Sequence, residues 1–166
     1  MGIVSNTGDT DEFNLAKAAF IEAHDRFQAA HIQNDVGVWY ASLSETLWWV
    51  FALDDYYRSH YSAKYMEFRD RSAYGSVIAG LKHARNSVGH SLALLVDYSY
   101  AIDKKPGTVS LKQLHWRTLN DTNPPYQGNK QAYQSQLAGK AVRYSLRRAN
   151  QFFIRQKDEL NKRMTE

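Results

Sequence analysis

Cysteine is absent from this 166-residue chain. That excludes a disulfide scaffold, a thiol nucleophile and thiolate zinc sites, and it suits a reducing compartment such as the cytoplasm. Proline is nearly absent: the three prolines, Pro106, Pro124 and Pro125, all fall between residues 101 and 129. Long apolar runs are missing too. The longest, Leu47 to Leu53, is far too short to span a bilayer, so no membrane partner is expected. The opening MGIVSNTGDTDEF lacks a basic stretch followed by an apolar one, so no secretion signal is expected. Acidic charge is scarce in the back of the chain. Residues 1–60 carry a net charge of −6, residues 61–129 of +4 and residues 130–166 of +6. A basic back half suits a polyanionic partner.

What is present is a hydrophobic content of 43% and an aromatic content of 13%, enough for one domain with a real core over residues 1–166. The proline-free stretches read as helices. A first runs from about Asp11 to His31, with Phe13, Phe20 and Phe27 on one stripe and Asp9 as its N-cap. A second runs from about Val36 to Tyr61, with Val36, Trp39, Leu43, Leu47, Val50 and Tyr57 inward, and with Trp48, Trp49 and Leu53 pointing elsewhere. A helix this apolar is covered on more than one side, and a second copy of the chain is one cover. Residues 62–71 read as a short helix or a connection. A third helix spans about Ser72 to Tyr100, where Gly75, Gly80 and Gly89 permit close approach or a bend. Residues 101–129 form a loop-rich insertion in which VSLKQLHWRTL has strand character. A fourth helix runs from about Gln131 to Arg163, with Tyr133, Leu137, Ala141, Tyr144 and Phe152 inward. The expected architecture is all-α, a four-helix up-down bundle with the insertion before its last long helix.

Several patterns for chemistry fail. GSVIAGLK, at Gly75 to Lys82, lacks the Gly-Lys-Ser/Thr of a phosphate loop and sits in a helix. No Glu-x-x-His pair is present for a carboxylate-bridged metal centre, and His24 and His31 lack a carboxylate partner, so neither metal nor cofactor is expected. No serine lies in a nucleophile elbow.

One run does combine useful groups. RNSVGH places Arg85, Asn86 and His90 within the third helix. A guanidinium grips phosphate oxygens through a rigid fork of donors. An imidazole gives or takes a proton near neutral pH. Residues five apart on a helix differ by about 7.5 Å of rise and about 140° of rotation. The length of the Arg side chain, a bend at Gly89, or two copies meeting at a symmetric interface would each bring them into one site. Asp54 lies inside the core stripe of the second helix, where a lone carboxylate is costly, and Arg58 and Arg85 are its candidate partners. Lys140, Arg143 and Arg147 share one face of the fourth helix and, with Lys82, are the expected contacts for a polyanionic partner.

An Arg, a polar residue and a His four positions beyond it, on the third helix of a bundle, resembles the motif of the HEPN superfamily. Arg26 and His31 repeat the Arg–His spacing, but Phe27 follows the Arg and the pair lies on the first helix. The resemblance implies a homodimer whose two motifs face one another, and a metal-independent endoribonuclease of the toxin–antitoxin or antiviral-defence kind. It implies an antitoxin or defence-system partner protein. His90 would be the general acid/base, Arg85 the clamp on the scissile phosphate and Asn86 an orienting group, with Glu45 and Asp54 as candidate supporting acids on the second helix. The alternative it allows is a catalytically inactive HEPN-like module that binds a protein partner or a nucleotide.

Overall fold

A computed structural model describes the backbone of residues 7–33, 35–91, 95–100, 112–118, 129–155, 158 and 162, and the side chains of residues 11–33, 35–86, 95–97, 113–118, 129–154, 158 and 162. Helix α1 (Thr7–Gln33) and helix α2 (Val36–Arg71) form an antiparallel hairpin. Phe13 meets Tyr56 and Tyr57, Arg26 meets Glu45, and His31 stacks on Trp39, so numbering rises along one helix as it falls along the other. Asp35 starts α2 in extended conformation, its carboxylate accepting a hydrogen bond from the Val38 amide at 3.1 Å. Helix α1 reaches back to Thr7, so Asp9 lies inside it and is not its cap. The expected stripe holds: Phe20 and Phe27 are buried and Phe13 is half-buried.

Residues 62–71 continue the second helix past a kink at Ser62, whose φ of 47° and ψ of −124° are not helical. Trp39, Leu43, Leu47, Val50 and Tyr57 are buried as expected, Val36 is half-buried, and Trp48 is 52% exposed. Leu53, expected to point elsewhere, is fully buried, because the bundle covers a wider arc of α2 than one stripe.

Helix α3 (Val77–Ser91) packs antiparallel to α2, with Lys82 level with Asp54 and Arg85 level with Phe51. Two glycines allow close contact before and within it. A Cβ on Gly75 would lie 2.5 Å from the Arg69 carbonyl, and one on Gly80 would lie 3.0 Å from Leu137. The helix ends well short of Tyr100. Strand β1 (Val96–Tyr100) follows and pairs antiparallel with β2 (Lys112–Trp116), Val96 opposite Trp116. Val96, Leu114 and Trp116 face inward while Asp97 faces out, the alternation of a half-buried strand. The strand character of VSLKQLHWRTL is therefore realised at its centre.

The expected fourth helix is broken. Helix α4 (Lys130–Gln136) stops, and helix α5 (Val142–Asn150) restarts after Gly139, whose φ is +74°. The cause is the sheet. The Trp116 amide donates to the Lys140 carbonyl at 3.0 Å, and the Gly139 amide donates to the Trp116 carbonyl at 2.8 Å. These bonds take backbone groups that a continuous helix would need. The break re-phases the chain, so Val142, Ser145, Leu146 and Ala149 face inward and Tyr144, expected inward, is half exposed. A π-helical turn (Gln151–Arg155) continues α5 and buries Phe152 and Phe153. The result is a mostly helical fold with a small antiparallel sheet docked on α4 and α5. Among the described residues no helix is long and apolar enough to cross a membrane.

Candidate functional site

Asp54 is fully buried at the centre of a charged hub. One carboxylate oxygen accepts from the Tyr65 hydroxyl at 2.9 Å and from the Arg69 guanidinium at 3.0 Å. The other accepts from the Lys82 ammonium at 2.7 Å. Arg69 also binds Asp70 at 2.8 Å. Burial works against the charge of Arg69, but its bonds to Asp70 and Asp54 outweigh that and hold its pKa above the usual value. Burial, and then the Asp54 carboxylate, push the Tyr65 hydroxyl well above the ordinary tyrosine range, so it stays a donor. Neither expected partner of Asp54 reaches it: Arg58 pairs with Asp55, and Arg85 lies elsewhere. Lys82, expected to contact a polyanion, turns inward instead. It is 8% exposed and bound to Asp54, so its ammonium is not offered to RNA. The kink at Ser62 folds Tyr65 and Arg69 back towards Asp54, on a stretch whose pattern reads as a short helix or a connection, so helical spacing along α2 does not reveal these partners.

Arg85, three residues after Lys82, has a different environment. Its guanidinium lies 4.5 Å from the Trp48 ring centre and 4.6 Å from that of Phe51, and it donates to the Asn86 side-chain oxygen at 3.1 Å. Among the described residues no carboxylate pairs with it. Cation–π contact holds a guanidinium in place without neutralising it. The platform makes sense of Trp48, an exposed aromatic off the core stripe. Only the α2–α3 packing shows that Trp48 belongs with Arg85.

Glu45 does not support Arg85. It binds Arg26, which also holds Glu22 at 2.7 Å. His31 is buried against Trp39, so Arg26 and His31 serve packing and ion pairing. His90 lies in the last turn of α3, and its side chain is outside the described residues. The antiparallel register carries that turn towards the stretch of α2 between Glu45 and Trp48.

Lys140 lies in the break before α5 and so does not share a helix face with Arg143 and Arg147 as expected, but the three side chains still come together. They line a groove of about 810 Å3 between α5 and α1, with His24 and Gln28 opposite them. Burial lowers the pKa of both His24 and His31; nearby Asp25 partly opposes this at His24, and Arg143 adds to it at His31. Among the described residues no three His, Asp or Glu side chains gather as a metal site. No protein-family model matches the chain, and neither a curated protein nor a solved structure is significantly similar to it.

Proposed function

We propose that this chain is a metal-independent endoribonuclease of HEPN type, a toxin or antiviral-defence effector that acts as a homodimer. The observation that carries the reading is Arg85: a guanidinium held on Trp48 and Phe51, beside Asn86, with no acid partner among the described residues. A phosphate clamp needs an unneutralised cation fixed in direction. Its neighbour Lys82, spent on Asp54, shows that the same helix presents both kinds.

In this reading Arg85 binds the scissile phosphate and the charge that develops on it. His90 moves protons: it takes one from the ribose 2′-hydroxyl or gives one to the departing 5′-oxygen. The 2′-oxygen forms a bond to phosphorus as the bond to the 5′-oxygen breaks. The products carry 2′,3′-cyclic phosphate and 5′-hydroxyl ends. Arg85 and His90 are five residues apart, about 140° around the helix, so each cleft draws on two copies of the chain.

The test is cleavage of RNA in EDTA by wild type, Arg85→Ala and His90→Ala, with circular dichroism to establish folding and light scattering to establish the dimer. Each substitution should cost roughly 100- to 1,000-fold in rate, and His31→Ala should cost nothing. Full activity in a folded His90→Ala protein, or loss of activity with EDTA, overturns the mechanism; no cleavage by folded wild type favours an inactive HEPN-like binding module.

A further inference from the structure

The groove between α1 and α5 is built from cations and one exposed ring. Lys140, Arg143, Tyr144 and Arg147 line one wall; His24 and Gln28 line the other. No carboxylate is among its lining residues. Asp25, whose carboxylate is 3.5 Å from the His24 ring, is not among them. The Lys140 ammonium donates to the Ser135 carbonyl at 2.9 Å, which leaves its charge in place. Arg143 and Arg147 are exposed, and among the described residues neither has an acid partner. Four residues on a helix advance about 6 Å, so the two guanidiniums follow one line along the groove. Tyr144, between them in sequence, is 50% exposed, with the Arg148 guanidinium 5.6 Å from its ring centre.

An acid three or four residues away would pair with an exposed arginine on a helix, and α5 has none, so both guanidiniums keep their full charge for a ligand. Cations in a line beside a half-exposed aromatic ring are what a single nucleic-acid strand needs: phosphates take the cations, and a base takes the ring. A partner protein would need an apolar anchor, and the groove wall offers only Tyr144.

We propose that the α1–α5 groove is a binding track for single-stranded RNA, separate from the Arg85 platform. Arg143 and Arg147 take neighbouring phosphates, Lys140 takes a third and Tyr144 stacks a base. The inference rests on RNA being the ligand class proposed above, but not on cleavage.

The experiment is fluorescence anisotropy of the full chain with a labelled single-stranded RNA made of 2′-O-methyl nucleotides, which lack the attacking hydroxyl. It is repeated across a salt series, with a polyglutamate peptide as competitor. Arg143→Gln with Arg147→Gln should weaken binding by roughly ten-fold or more. It should also flatten the slope of log affinity against log salt by about 1.4, the share of two phosphate contacts on a single strand. Tyr144→Ala should weaken binding by roughly ten-fold with the slope unchanged. All three side chains are exposed, and melting curves would show the fold intact. Unchanged affinity and slope in the arginine variant overturns the proposal. So does a Tyr144→Ala variant that binds normally, or polyglutamate that competes as well as RNA, since either marks a general anion surface. A chain that binds through the groove but never cleaves keeps this inference and removes the nuclease reading. A chain that cleaves RNA while the arginine variant binds normally does the reverse.

Discussion

The hub around Asp54 holds one carboxylate for a lysine, an arginine and a phenol, all buried; the groove between α1 and α5 holds three cations and no carboxylate. Both regions draw on the basic excess of the later sequence. Burial explains the difference. A cation taken out of water loses several kcal/mol of hydration, so Lys82 and Arg69 are tolerated inside because Asp54 meets both, with Asp70 also on Arg69 and Asp55 3.9 Å from Lys82. Arg143 and Arg147 stay hydrated and need no partner to be stable. Arg85 lies between these extremes, half-buried yet held by rings instead of an acid. A charge paired inside serves the fold, and a charge left unpaired outside is available to a ligand.

The largest effect should come from removing the anion of the hub. Asp54→Ala leaves Lys82 and Arg69 buried without their shared partner and should cost about 3–5 kcal/mol, a fall of roughly 10 °C in Tm for a chain of this size. Wild-type stability in urea melts would mean the hub is hydrated in solution. Lys82→Met keeps most of the alkyl stem and leaves Asp54 bound to Arg69 and Tyr65. Its cost should be smaller, about 1.5–3 kcal/mol. A loss equal to that of Asp54→Ala would show that Arg69 and Tyr65 do not share the load.

A third effect depends on pH. His24 and His31 are buried with pKa values below the ordinary 6.5. As pH falls through 6.5 the unfolded chain takes up protons before the folded chain does, so stability present above that pH is lost below it. The Tm should drop between pH 7.5 and 5.5, a window above the usual carboxylate range. The drop should shrink in a His24→Gln, His31→Gln double variant; an equal drop there would place the sensitivity elsewhere. The smallest effect sharpens the contrast. Arg143→Gln with Arg147→Gln removes as many cations as the hub contains, yet should change stability by no more than about 0.5 kcal/mol. A larger loss on melting would reveal a structural partner for one of them.

Much of the helical plan is legible in the residue pattern. The Phe13, Phe20 and Phe27 stripe, the core of α2 through Tyr57 and the oddity of a carboxylate at Asp54 all follow from helical periodicity. The strand at residues 112–116 shows in its apolar alternation. The end of α3 and the break before α5 do not, because both depend on pairing between distant segments: β1 with β2, and Gly139–Lys140 with Trp116. Arg85 and Asn86 stand out by residue type. Their ring platform does not, because Trp48 and Phe51 are more than thirty positions away. Lys82 and Arg85 look alike in sequence, and only the position of Asp54 sends one inward.

By itself the sequence determined the helical character, the burial of the aromatic stripes, the gathering of basic charge towards the end of the chain and the grouping of Arg85, Asn86 and His90 on one helix. These follow from local spacing and composition, which act within a few turns of chain. Tertiary structure alone decided which cations are neutralised, where the last helix breaks and which arginines line a groove. Those outcomes depend on which distant groups meet and on how much water is left between them, and the energy of a charge depends on that far more than on its neighbours in the chain.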